Sequence, residues 1–189
     1  MNPNATTEGP PQVKAVELCR YFTLSDEGKK ALDTEMAPEQ FARLLAEQKR
    51  HPDAVQVIAH YLPKRQGVFW ALTCVREAIP EPVPEAEAAL KTAEKWIAEP
   101  TDENRAAALK AADAADAGTP AGCTALAAYY SAGLPRTDDS KANARAYFLT
   151  SKLVASAVLL AATLDKEQMD ALFPSFVQKG LEFVLKSRR

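Results

Sequence analysis

Residues 59–71 read AHYLPKRQGVFWA, and this stretch is the most informative part of the chain. Pro63 restricts the backbone and suits the first turn of a helix, so one helix is predicted to end just before it and another to begin there. Lys64 and Arg65 follow in that first turn, where the partial positive charge of a helix N-terminus normally favours Asp or Glu. An aromatic pair at 69–70 lies one turn later. The stretch therefore predicts a helix junction that opens with two cations.

The same kind of punctuation predicts helices along nearly the whole chain. Ser, Thr, Asp and Pro residues precede apolar positions with helical spacing, and no segment alternates with the period of two expected of a strand. The predicted fold is all-α, a compact multi-helix bundle of about nine or ten helices. The predicted helices cover residues 13–22, 26–32, 38–51, 52–62, 63–78, 85–98, 102–117, 120–130, 140–164 and 169–187.

Four local signals predict where helices begin, end or break. The sequence KRHP at 49–52 predicts a cationic last turn closed by a proline. Gly118 predicts a C-terminal cap, because glycine readily adopts the left-handed conformation found there. Ser140 predicts the N-terminal cap of a long helix that follows a loop at 133–139. Pro174 predicts a break within the last helix.

The chain length of 189 residues suits one domain with a substantial core. Residues 1–11 are polar and contain Pro and Gly, which predicts a disordered N-terminal tail. Residues 12–189 are predicted to form a single helical domain. Prolines 80, 82 and 84 predict an extended linker, so any subdivision of this domain would fall at 80–84.

Composition and charge argue against several classes of protein. The net charge of −2 and the pI near 5.8 disfavour a protein held on nucleic acid by its overall charge. The N-terminal residues lack the cationic start and the apolar run of a signal peptide. The longest apolar stretch, 153–164, is about half the roughly 20 residues needed to cross a bilayer. We therefore expect a cytoplasmic protein with no nucleic-acid partner and no membrane insertion, and the sequence leaves the oligomeric state open.

The candidate catalytic chemistry is sparse. Cys19, Cys74 and Cys123 are widely spaced within apolar helical patterns, which is typical of buried thiols in a reducing compartment. His60 has no second ligand at metal spacing, so no metal and no cofactor are expected. A nucleophile pair of Cys74 and His60 is conceivable, but a thiol on an apolar face would be poorly ionised. We expect a non-enzymatic protein, with a cryptic enzyme as the third alternative.

The tripeptide His51-Pro52-Asp53 is the one by which J-domain co-chaperones stimulate Hsp70-type ATPases. In that family it lies in a loop between two helices, after a strongly basic helix. Lys49 and Arg50 precede the tripeptide here, but the tyrosine-rich opening of a J-domain is absent. The resemblance implies a co-chaperone-like module as the alternative function. Helix punctuation alone also explains each of the three residues.

Lys64, Arg65, Trp70 and Arg76 are the candidate binding residues. On one interpretation Trp70 belongs to the core, and Lys64 and Arg65 pair with acids across the bundle. On the other, the two cations and the helix N-terminus bind a carboxylate or phosphate of a protein partner, with the aromatic residue as the anchor. The sequence leaves both interpretations open.

The same block resembles a group of uncharacterised bacterial proteins of similar size. Their pattern is Leu-Pro-(Lys/Arg)-Arg-Glu-Ala-Val-Trp-Trp-Ala, which Leu62-Pro63-Lys64-Arg65, Val68, Trp70 and Ala71 match. Gln66, Gly67 and Phe69 stand where the pattern has Glu, Ala and Trp. The clear match covers about residues 54–78. Such proteins are sometimes found alongside type VI secretion components, so the resemblance implies an interaction or adaptor protein of the bacterial cytoplasm, an accessory factor of a secretion system.

Overall fold

The computed structural model describes residues 13–132 and 148–186. Across these two ranges the chain forms ten α-helices and two short 3-10 segments, with no strand, which confirms the predicted all-α multi-helix bundle. The 3-10 segments are Cys19–Tyr21 and Tyr130–Ala132. The helices are α1 Ala15–Leu18, α2 Asp26–Ala31, α3 Pro38–Glu47, α4 His51–Tyr61, α5 Lys64–Ala78, α6 Pro84–Ala98, α7 Asp102–Ala114, α8 Pro120–Tyr129, α9 Leu149–Thr163 and α10 Met169–Lys186.

Helix α9 is the central element of the described bundle. It packs against α4, α5 and α8, and α10 crosses α3, α4 and α5. Phe41, Ile58, Trp70 and Phe176 are among the largest side chains that the fold buries completely. Because each buried aliphatic or aromatic side chain contributes about 1.5–3 kcal/mol through removal from water, this interior dominates the stability.

Two helix ends differ from the sequence prediction. Helix α3 ends at Glu47, and Lys49 adopts a left-handed conformation with φ of 58°. The Arg50 backbone N–H then donates to the Leu45 carbonyl at 2.7 Å, which closes the helix end. His51 is consequently the first residue of α4 rather than part of the preceding last turn. Asp116, with φ of 63°, likewise takes the left-handed position after α7 that was predicted for Gly118.

Pro174 lies inside α10, and the predicted break at this proline is wrong. Helix α10 continues from Met169 to Lys186 because the burial of one of its faces against α3, α4 and α5 stabilises it on both sides of the proline. The tail at 1–11, the loop at 133–139, the cap at Ser140 and the helix end at Ser187 lie outside the described residues.

Gly180 allows α10 to lie directly on the core. A Cβ at this position would lie 2.8 Å from the Ile58 Cγ2 atom and 2.9 Å from two ring carbons of Trp70. Real Cβ atoms do not approach other heavy atoms so closely, so only glycine fits without a shift of the helix. This contact fixes the spacing between α10 and the helices α4 and α5.

The linker at 80–84 separates α5 from α6 along the chain. Helices α5 and α6 nevertheless contact each other, and both pack against α8. This packing supports the single domain, which stays a prediction. Within the described ranges, none of the helices combines the length and the apolar character that crossing a membrane requires.

Candidate functional site

Lys64 and Arg65 both bind backbone carbonyls at the ends of neighbouring helices. The Lys64 ammonium donates to the Ser131 carbonyl at 3.0 Å, just beyond α8. The Arg65 guanidinium donates to the carbonyls of Ile97 at 2.6 Å and Ala98 at 3.3 Å, the last two residues of α6. A helix C-terminus has unsatisfied carbonyls and a partial negative charge, so the cations at the start of α5 stabilise other helices rather than their own. The acids predicted as their partners are not the groups they bind in these contacts.

Trp70 and Arg76 are also held by contacts within the fold. Trp70 has no exposed surface, and its Nε1–H donates to the Phe176 carbonyl at 2.9 Å. It therefore cannot serve as a surface anchor, and the core interpretation of this residue describes the structure. Arg76 forms ion pairs with Glu87 at 3.0 Å and Glu94 at 3.4 Å, which join α5 to α6. Thus Lys64, Arg65, Trp70 and Arg76 do not assemble into one exposed patch.

The exposed aromatic residue of this block is Phe69, with 44% of its surface accessible. Its ring packs edge-on against Phe183 of α10, with centroids 5.3 Å apart, and the Lys186 ammonium lies 5.9 Å from the Phe183 centroid. Arg65 and Thr73 lie one turn before and after Phe69 on α5. We name these five residues, Arg65, Phe69, Thr73, Phe183 and Lys186, the α5–α10 seam.

Sequence reasoning missed Phe69 because it grouped the residue with the apolar faces of α5. The spacing held a usable signal. Arg65, Phe69 and Thr73 are four residues apart and share one side of the helix, so Phe69 has a polar neighbour one turn before it and another one turn after it. Trp70 is rotated by about 100° from Phe69 and faces the core. Phe183, which comes from a distant helix, could not be assigned to the seam without the fold.

A polar network joins the opposite end of the same two helices. The Lys179 ammonium donates to a Glu77 carboxylate oxygen at 2.6 Å and to the Ser175 hydroxyl at 2.7 Å. That hydroxyl in turn donates to the other Glu77 oxygen at 3.0 Å. The Lys179 ammonium and the Ser175 hydroxyl both donate to Glu77, so this network ties α5 to α10.

The tripeptide at 51–53 lies in the first turn of α4 rather than in a loop. The Asp53 side chain is 6% exposed and accepts hydrogen bonds from the Ser25 N–H at 2.9 Å and the Ser25 hydroxyl at 2.5 Å. It thereby fixes the N-cap of α2. The His51 ring stacks loosely on Phe173, with centroids 6.2 Å apart. A buried carboxylate with this structural contact is not the exposed group that a J-domain loop presents.

His60 is buried in an aromatic environment. Its ring lies 4.5 Å from Phe22 and 5.7 Å from Phe148 between centroids, and Nδ1 is 2.8 Å from the Gln56 carbonyl. The Nε2 atom is buried without a hydrogen-bond partner among the described residues. Burial is the main cause that lowers the pKa of His60 to about 4; the Gln56 bond opposes this shift and the nearby Lys152 adds to it. The neutral ring is therefore the form that the fold accommodates.

The thiols are poorly suited to nucleophilic chemistry. Burial raises the pKa of Cys19 to about 11, and it raises the pKa of Cys123 and, more strongly, that of Cys74. A thiol with a raised pKa is protonated and unreactive near neutral pH. Across residues 13–132 and 148–186, no group of three His, Cys, Asp or Glu residues is placed to hold a metal ion.

A cavity of about 630 Å³ opens where α3 ends and α4 and α10 begin. Its walls combine apolar groups with charges of both signs, and it lies next to the tripeptide rather than at the α5–α10 seam. The lining residues are Ala46, Glu47, Lys49, His51, Met169, Asp170, Phe173 and Pro174.

Residues 41–184 match the model of a family of unknown function, DUF6931. The chain belongs to this family. The match runs from the middle of α3 to the end of α10, so it includes the whole seam except Lys186, while α1 and α2 precede it. Membership in an uncharacterised family agrees with the predicted resemblance. No curated protein and no solved structure matched the chain.

Proposed function

We propose that this member of DUF6931 is a non-enzymatic interaction protein that binds a protein partner through the α5–α10 seam. The observation that carries the proposal is the Phe69–Phe183 pair, whose first ring remains 44% accessible although the surrounding side chains are engaged in the fold. Aromatic residues and arginine are enriched in protein interfaces.

The electrostatics of the reactive side chains support a binding role rather than catalysis. The described thiols have raised pKa values, and the His60 ring is buried. Nucleophilic catalysis needs an ionised or base-activated group that reaches a substrate. Lys64 and Arg65 both hold helix ends, so the contact surface proposed here leaves Lys64 out and is centred on Phe69, with Arg65 at its edge.

The cellular setting rests on the sequence resemblance. The pattern at 62–71 is that of bacterial proteins sometimes found alongside type VI secretion components, and the exposed Phe69 stands where that pattern has another aromatic residue, Trp. We therefore place the protein in the bacterial cytoplasm as an accessory or adaptor factor of a secretion system.

The test is an affinity pull-down from the native host, read by mass spectrometry, with wild type and two matched variants. Phe69→Ala removes the exposed ring, and Leu164→Ala removes an exposed apolar side chain from the loop after α9. Circular dichroism first establishes that both variants are folded. We expect a partner to be recovered with wild type and Leu164→Ala and lost with Phe69→Ala. Recovery that is equal in all three, or absent in all three, would overturn the proposal, and secretion components among the recovered proteins would support the finer assignment.

A further inference from the structure

We propose that the partner of the α5–α10 seam is an acidic protein segment with an apolar anchor residue. This inference rests on the proposed function and adds the chemistry of the occupant. The apolar centre of the seam is the Phe69–Phe183 pair, and the question is which charges surround it.

Positive charge flanks the aromatic pair on both helices. Arg65 lies one turn before Phe69 on α5, and its guanidinium binds only neutral carbonyls in the described structure. Lys186 lies close to the Phe183 ring and forms no ion pair with an acid of the described residues. Arg65 and Lys186 are therefore not paired with a carboxylate within the part of the chain that the structure describes.

Three acids near these two helices are paired with other cations, and a fourth, Glu182, lies beside the seam. Glu77 is bound by Lys179 at 2.6 Å, and Glu87 and Glu94 are bound by Arg76. Glu182 lies one turn before Lys186 on α10, so one carboxylate neighbours that ammonium, and Gln178 donates to it at 3.3 Å. Arg65 and Lys186 outnumber the carboxylate of Glu182, so the seam has an excess of positive charge although the whole chain has a net charge of −2.

Charge complementarity indicates which kind of partner binds the seam. An acidic segment would be attracted by Arg65 and Lys186 and would gain affinity when its anchor covers the Phe69 ring. A second copy of this chain docked through the same seam would bring Arg65 and Lys186 of both copies together, and such like-charge contacts oppose association. The sign of the seam therefore favours an acidic partner over self-association.

The test uses a fluorescein-labelled peptide of glutamates around a central Leu-Trp-Leu triplet, with fluorescence anisotropy as the readout. We expect saturable binding that weakens about tenfold or more when salt rises from about 0.05 to 0.5 M. Lys186→Met should weaken binding, Lys186→Glu should weaken it further, and Phe69→Ala should abolish it. Lys166→Glu is the matched control, because it makes the same charge change at an exposed position about 25 Å away along α10 and its preceding loop.

The inference would be overturned if the peptide showed no saturable binding, or if a peptide with lysine in place of glutamate bound equally well. It would also be overturned if Lys166→Glu weakened peptide binding as much as Lys186→Glu does. A last contrary outcome is that the peptide does not bind while the protein binds phosphatidylglycerol vesicles and Lys186→Glu abolishes that binding. The pull-down separates this result from the proposed function. A host partner that depends on Phe69 but not on Lys186 or salt would leave the interaction protein standing and remove the acidic partner.

Discussion

Two glycines inside helices, Gly67 of α5 and Gly180 of α10, differ in what a methyl group would meet. A Cβ at Gly67 would lie 3.5 Å from the Val154 side chain, an ordinary contact, whereas at Gly180 it would overlap Ile58 and Trp70. Glycine lowers helix stability relative to alanine because the unfolded chain is more flexible. Gly67→Ala should therefore raise the free energy of unfolding by about 0.5–1 kcal/mol, and Gly180→Ala should lower it by roughly 1–3 kcal/mol.

Urea denaturation of the two alanine variants measures this difference directly. The substitution is the same in both, so helix propensity is matched and only the local space differs. A stabilising Gly180→Ala would contradict the packing described between α10 and Trp70. The resembled sequence pattern has Ala at position 67, which agrees with the space available there.

His60 gives the protein a pH-dependent stability. Because burial lowers its pKa from 6.5 to about 4, the unfolded chain binds the proton more tightly than the folded one. The stabilisation associated with the neutral ring is fully present above pH 6.5. As the pH falls toward 4 it is lost, and the free energy of unfolding decreases by at most about 3 kcal/mol. His60→Leu should remove most of the slope of stability against pH between 6.5 and 4.5.

Burial also lowers the pKa of His51, so this ring adds to the pH dependence in the same direction. His51→Gln is therefore the control for His60→Leu, and thermal unfolding at a series of pH values is the measurement. We expect the His51 variant to retain the larger part of the slope because its ring is less buried than that of His60. An unchanged slope in His60→Leu would show that another group senses the pH.

At the scale of the helices, the start of α5 closes the ends of α6 and α8. Arg65→Met and Lys64→Met keep much of the side-chain length but remove the charged donors, so each should lower the free energy of unfolding by about 0.5–1 kcal/mol. Lys110→Met is the matched control, since Lys110 is exposed on α7. Chemical denaturation of the three variants is the measurement. If Lys64 and Arg65 were surface charges without a structural role, all three variants would have the same free energy of unfolding.

The sequence predicted these helices well because proline and cap residues mark their ends chemically. Ser25, Thr101 and Thr119 each accept the backbone N–H expected of an N-cap, from residues 28, 104 and 122. The ends at Glu47 and Ala114 were misplaced because Lys49 and Asp116 adopt left-handed conformations that glycine usually supplies.

The candidate site was harder to predict because its contacts join distant parts of the chain. The carbonyl partners of Lys64 and Arg65 lie 67 and 32 residues away, and only packing of the helices brings them together. A local pattern can show that two cations are unusual at a helix start, but it cannot show which helix ends they meet. The same limit hid Phe183 and left Trp70 open between the core and a binding role.

At the scale of the whole molecule, the fold places one buried tryptophan on each side of the linker at 80–84. Trp70 of α5 is fully buried, and Trp96 of α6 is 5% exposed. Since α5 and α6 touch each other and share α8 as a neighbour, the two sides should unfold together as one cooperative unit.

Trp70→Phe leaves Trp96 to report on one side, and Trp96→Phe leaves Trp70 to report on the other. In each variant we expect the urea midpoint from tryptophan fluorescence to coincide with the midpoint from far-ultraviolet circular dichroism. Midpoints that separate within a variant would show that the two sides of the linker unfold independently, and the α5–α10 seam, whose two helices lie on opposite sides of the linker, would then join the two units.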